Sequence, residues 1–143
     1  MRSYIQLSSE GAQIVESNRT IRDKKGDSLL ELPNSFTIID IETTGLDPRF
    51  DEIIELSAIR VINGEEVEKF SELVNPDYPI SNFIKELTGI TEEMLSEAEP
   101  IDSVLPRYLS FIGDDIVVGY NVHFDVNFIY DNTLKYLNRK FQV

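Results

Sequence analysis

The chain has 143 residues, 41% of them hydrophobic, with 8 Phe and 6 Tyr, which suffices for one compact domain with a real core. Cysteine is absent, so a disulfide framework, thiolate metal sites and thiol nucleophiles are excluded. Thirteen basic residues stand against 26 acidic ones, a net charge of −13, which argues against gripping nucleic acid with a basic surface.

In chain order, residues 1–34 read as an N-terminal extension without evident chemistry. They hold five basic and five acidic groups, so the other 109 residues carry eight against 21 and the whole imbalance. Such an excess is either a solvated acidic surface or a set of metal ligands, since bound cations would reverse the local field. Within the extension, SSEGAQIVESN is expected to form a short helix behind Ser8 or Ser9. RDKKGDS reads as a polar turn, and Pro33-Asn34 closes the segment. The N-terminus lacks a signal-peptide core, and no apolar run approaches the roughly 20 residues that span a bilayer. A reducing cytoplasm is the expected location, with no membrane role.

The main body is expected over 35–143. Its first strand runs from Ser35 to about Ile41, and TTGLDP breaks it with Gly45 and Pro48. EIIELSAIRVI (52–62) and VEKFSELV (67–74) read as a hairpin turning at Asn63-Gly64. SNFIKELTG, TEEMLSEA and IDSVLPRYLSFIG follow with helical patterns, and Gly89 and Gly113 are candidate stops. Ile116–Val118 is short and wholly apolar, as a buried strand is. Val122, Val126, Ile129, Thr133 and Leu137 then mark a helix with one inward stripe. The order β-β-β-α-α-β-α predicts an α/β fold, a mixed sheet flanked by helices.

The chemistry concentrates at two places. Residues i and i+2 of a strand share a face, so Asp40 and Glu42 project together at the end of the first strand, where open α/β sheets place ligands. Carboxylates that close repel unless one is protonated or a cation lies between them, and hard oxygen ligands suit Mg²⁺ or Mn²⁺. A pair of solvated acids is the alternative. Asp125, near the start of the last helix, has Val122 and Ile129 of the inward stripe as its i−3 and i+4 neighbours, so it is expected to face the sheet. No Lys or Arg lies between Arg107 and Lys135 to neutralise it. If the last strand lies beside the first, three carboxylates converge.

DIETTGLDPRFDEIIELSAIRV resembles the first motif of the DEDD superfamily of 3′–5′ exonucleases, and VGYNVHFDVNFI resembles the second, with ELTGIT between them similar to the intervening loop. Within the family the likeness is to epsilon-type proofreading subunits of bacterial DNA polymerase III and their stand-alone cousins. The resemblance spans residues 36–130 and implies an RNase H-like sheet, two divalent cations (Mg²⁺ or Mn²⁺) and removal of nucleotides from single-stranded or frayed DNA 3′ ends. It implies Asp40, Glu42 and Asp125 as catalytic metal ligands, and Thr43, Thr44, Gly45 and Leu46 as contacts to the terminal nucleotide. Asn121 matches the family's asparagine, though an N-cap explains it equally well. Phe124 fits a site wall, with core packing just as good a reading.

The family's fourth acid and its histidine or tyrosine base belong to a third motif that LKYLNRKFQV does not supply, so the fold is expected to lack its C-terminal part and the chain alone to cut poorly. Asp131 lies roughly 240° around the helix from Asp125 and should point elsewhere. His123 falls at a position where the family needs no base, and Tyr120 replaces a frequent histidine. The alternatives are a 3′–5′ exoribonuclease or oligoribonuclease, or a non-catalytic module bound to a DNA polymerase or helicase.

Overall fold

The computed structural model describes residues 31–143 in full and, of the first 30, only the backbone of two strands. These are β1 (Arg2–Ser8) and β2 (Gly11–Ser17), an antiparallel pair in register from Arg2↔Ser17 to Ser8↔Gly11. The helix expected behind Ser8 or Ser9 is therefore corrected to a strand. Ile14-Val15 is a β-branched pair, and RSYIQLS upstream gives it a partner that the helical reading left out. The turn read in RDKKGDS lies outside the described residues.

The main sheet has the order β5-β4-β3-β6, built from β3 (Ser35–Thr43), β4 (Ile53–Ile62), β5 (Glu65–Leu73) and β6 (Val117–Val118). The first three form a meander, and β6 joins parallel to β3 through Thr37↔Val117 and Ile38↔Val118. The β4–β5 turn has Asn63 at φ 52° and Gly64 at φ 81°, the left-handed pair that a two-residue hairpin requires. Both sheet edges are blunted. The outer strand β5 carries Glu65, Glu66, Glu68, Lys69 and Glu72, and β6 is only 2 residues long.

Between β5 and β6 come three helices rather than two: α1 (Asn82–Thr88), α2 (Glu92–Ser96) and α3 (Ile101–Ile112). Ser81 and Thr91 cap α1 and α2 through side-chain oxygens, and Gly89 ends α1 at φ 74°. Each of the three helical patterns forms its own helix, so the expected order was one helix short. Last comes α4 (Val122–Leu137).

One face of the sheet meets the long helices. Ile39, Ile41, Leu56 and Ala58 pack with Val104, Leu105, Tyr108 and Ile112 of α3 and with Val126 and Ile129 of α4. A satellite cluster of Ile54, Ile80, Ile84, Ile90 and Leu95 sits under α1 and α2. The inward stripe of α4 is wider than its spacing suggests, because Phe128, Tyr130 and Asn132 are buried beside Val126, Ile129 and Thr133. A clamp fixes the end of the sheet where β6 begins. Asp115 accepts from Thr37 Oγ1 at 2.6 Å and from Arg60 Nε at 3.0 Å, which locks β6 into register on β3.

Candidate active site

The strand β3 runs two residues beyond its expected end, so Asp40 and Glu42 are both inside it, and its ladder with β4 slips between Glu42 and Thr43. Such an irregularity bends a strand and re-aims its side chains. Asp40 is exposed and Glu42 half-buried, on the face opposite Ile39 and Ile41. Burial first, then the charges of Asp40 and Glu55, push the Glu42 carboxyl above the usual range.

Because β6 stops at Val118, the edge of β3 beyond Ile38 is left without a strand partner. The chain turns there at Gly119, where an added Cβ would stand 2.9 Å from the Ile39 carbonyl oxygen. That close approach lets α4 begin against the β3 edge and brings the Asp125 carboxylate beside the backbone of Ile41, the residue between Asp40 and Glu42. Asp125 is only 4% exposed, and its Oδ2 is buried without a hydrogen-bond partner. A buried charge so placed is costly. Burial first, then Asp40, push the Asp125 carboxyl up to about 7, with Glu42 adding to the shift.

The three carboxylates are thus close enough for their charges to act on one another. Among the described residues, no three His, Cys, Asp or Glu side chains are already drawn in closely enough to hold an ion. The cluster is open, as mutually repelling acids are. The residue types suit a divalent cation: the Asp125 Oδ2 is a hard oxygen without a partner, and the repulsion around it is relieved by a proton or by a counter-charge.

The loop after β3 is stapled shut. Thr44 N–H donates to the Glu52 carbonyl at 2.8 Å, Glu52 N–H donates to Thr44 Oγ1 at 2.9 Å, and Asp47 N–H donates to Asp51 Oδ2 at 2.9 Å. The Asp51 carboxylate fills the space beside Gly45 so fully that a Cβ there would sit 2.4 Å from Oδ2. Thr43 is buried, its hydroxyl donating to the Gly45 carbonyl at 2.6 Å, while Leu46 stands 75% exposed at the tip. Thr43, Thr44, Gly45 and Leu46 therefore form one rigid rim next to Glu42.

Asn121 occupies the N-cap position of α4 through a left-handed backbone, φ 50°, and makes no side-chain cap bond. The N-cap reading is corrected to that extent: position without bond. The Phe124 ring is 4.9 Å from that of Phe128 and packs on the core. Asp131 bears on Arg49 of the loop and is not among the charges acting on Asp125. His123 is exposed, and Tyr120 is 97% exposed. Sequence reasoning missed Gly119, Asp51 and Glu55. Gly119 follows the apolar strand as a small residue at a crossing must, whereas Asp51 and Glu55 depend on loop closure and register.

A model described as an exonuclease, that of the RNase T family, matches residues 37–142. The chain is 47% identical over 119 residues to the DNA polymerase III subunit epsilon of Aquifex aeolicus, covering 83% of this chain and 58% of that protein. It is 46% identical over 104 residues to the PolC-type DNA polymerase III of Caldanaerobacter subterraneus subsp. tengcongensis, covering 73% of this chain and 7% of that protein. Its fold is similar to that of a zinc-bound complex of E. coli exonuclease I with single-stranded DNA, with a TM-score of 0.63 at 24% identity over 73% of this chain and 24% of that one. The chain thus spans only part of each curated relative.

Proposed function

The chain belongs to the RNase T exonuclease family, and from that premise we propose that it is a metal-dependent 3′–5′ exonuclease acting on single-stranded or frayed DNA ends. The observation that carries the reading is the buried, unpartnered Oδ2 of Asp125 beside the Asp40–Glu42 pair. A structural acid would be paired; a cation ligand is left open for its ion.

In this reading Asp40, Glu42 and Asp125 hold Mg²⁺ or Mn²⁺. Two such ions would supply a water of lowered pKa and would neutralise charge on the leaving 3′-oxygen. The protein's own part is positional. Asp125, buried at the edge of β3, would fix one ligand from the core side, and Asp40 and Glu42 would present theirs from a hydrogen-bonded strand. The stapled rim Thr43–Leu46 receives the terminal nucleotide, with Leu46 against its base. Asn121 and Phe124 flank it from the start of α4. The net charge of −13 repels DNA at a distance, so bound cations also make the approach of the phosphate possible. A DNA polymerase III assembly is the partner this likeness favours.

The test is digestion of single-stranded DNA by excess protein in Mn²⁺, comparing oligonucleotides labelled at either end. Stepwise shortening from the 3′ end, lost in Asp40→Ala, supports the proposal. Cleavage inside the strand, or shortening that survives Asp40→Ala, overturns it. A matched RNA oligonucleotide run in parallel separates a deoxyribonuclease from the exoribonuclease alternative.

A further inference from the structure

The register of β3 on β4 sets Glu42 directly opposite Glu55, and Asp40 directly opposite Ser57. Opposed residues of an antiparallel pair share a face, with Cβ atoms about 5 Å apart. Asp40, Glu42, Glu55 and Ser57 therefore form one block on the face away from the helices. Like charges directly opposed are destabilising. Ser57 Oγ nevertheless donates to Glu55 Oε1 at 3.2 Å, which keeps that carboxylate on the sheet instead of letting it swing into water. Among the described residues no Lys, Arg or His forms a salt bridge to Asp40, Glu42 or Glu55.

An acidic block alone would be a solvated surface. Here a second observation points to a ligand: Asp125, 4% exposed, leaves its Oδ2 unpartnered at the edge of the same strand, beside the backbone between Asp40 and Glu42. Four carboxylates then surround one stretch of β3, and a hydroxyl orients the outermost.

We propose that Glu55 is a positioning carboxylate of the cation site, adding charge and a hydrogen-bond acceptor for the ion's water shell behind Glu42. This rests on the exonuclease reading and deepens it. Outer groups of this kind orient ligands, and losing one costs roughly 10-fold to 100-fold in metal affinity. A merely structural Glu55 would leave metal affinity unchanged.

The experiment is calorimetric titration of the whole chain with Mn²⁺ at about 0.15 M salt, where surface charges are largely screened, alongside metal-free melts. The proposal expects Glu55→Gln to weaken Mn²⁺ binding roughly 10-fold or more, to keep or raise the metal-free melting temperature, and Glu55→Asp to recover part of the affinity. Wild-type affinity in Glu55→Gln, with binding lost in Asp40→Asn, overturns the role of Glu55 alone. No Mn²⁺ binding by the unsubstituted chain, or equal binding by Asp40→Asn, overturns the cation site and this inference with it. Should Glu55→Gln lower the metal-free melting temperature, Ser57→Ala replaces it: weakened binding supports the proposal and wild-type binding overturns it.

Discussion

Asp125 illustrates how one side chain can be stabilising or destabilising according to what is bound. Its carboxyl titrates near 7 in the fold against an ordinary 3.8, because burial and Asp40 disfavour the charge. An acid raised on folding holds its proton longer in the native state, so the native state binds more protons than the unfolded chain between those values. Stability is then fully present below about pH 4 and is lost as pH rises towards 7. The loss is roughly 4 kcal/mol as an upper bound. Glu42 shifts in the same direction. Asp125→Asn keeps the side chain's shape and removes the charge. Without metal, its melting temperature should exceed that of the parent at pH 8 and match it near pH 4, and Mn²⁺ should raise it little. Thermal melts in chelator and in Mn²⁺ at both pH values check this. A second residue, Gly119, allows the chain to pass the Ile39 carbonyl. Gly119→Ala should cost about 1–3 kcal/mol in urea unfolding and weaken metal binding, since α4 carries Asp125 away as it shifts.

At the scale of elements, the rim loop is rigid because one carboxylate does two jobs. Asp51 accepts from the Asp47 amide and packs into the space that a side chain at Gly45 would need. Gly45→Ala alone should destabilise by about 1–3 kcal/mol. In the double variant with Asp51→Ala the two losses should sum to less than their separate values, because the clash disappears with the carboxylate. Urea unfolding of the four proteins measures that coupling. The clamp where β6 begins behaves oppositely to Asp125. The Thr37 hydroxyl first, and then Arg60, hold the Asp115 carboxyl below its usual range, so its contribution is present at neutral pH and fades as pH falls. Asp115→Asn should therefore be destabilised at pH 7, with the deficit shrinking on acidification.

Much of this was legible in the sequence where a pattern is local. Alternation in FTIIDIE, the Asn63-Gly64 turn and the helix-stop glycines each follow from two or three neighbouring residues. Three matters were not local. The hairpin of residues 2–17 depends on a partner strand, and the same Ile14-Val15 suits either conformation when read alone. The full burial of α4 depends on how many elements cover it, which its spacing does not encode. The placing of Glu55 across from Glu42 depends on register, and one residue of slip would send it to the other face. The convergence of Asp125 with Asp40 and Glu42 was conditional on β6 lying beside β3; that pairing is present, and the shortness of β6 leaves the edge of β3 open where Asp125 approaches.

At the scale of the molecule, an acidic protein of net charge −13 is an unpromising partner for a polyanion. Cations bound at one place would resolve this: the open end of the four-stranded sheet, where a strand, a stapled loop and a helix start meet. No helix among the described residues is long and apolar enough to cross a membrane. The most direct measurement is a crystal of the chain soaked in MnCl₂, with data collected for manganese anomalous scattering. The expected result is a peak within ligand distance of Asp40, Glu42 and Asp125, absent from the Asp125→Asn protein. Manganese bound only elsewhere on the surface, or an unchanged peak in that variant, would contradict it.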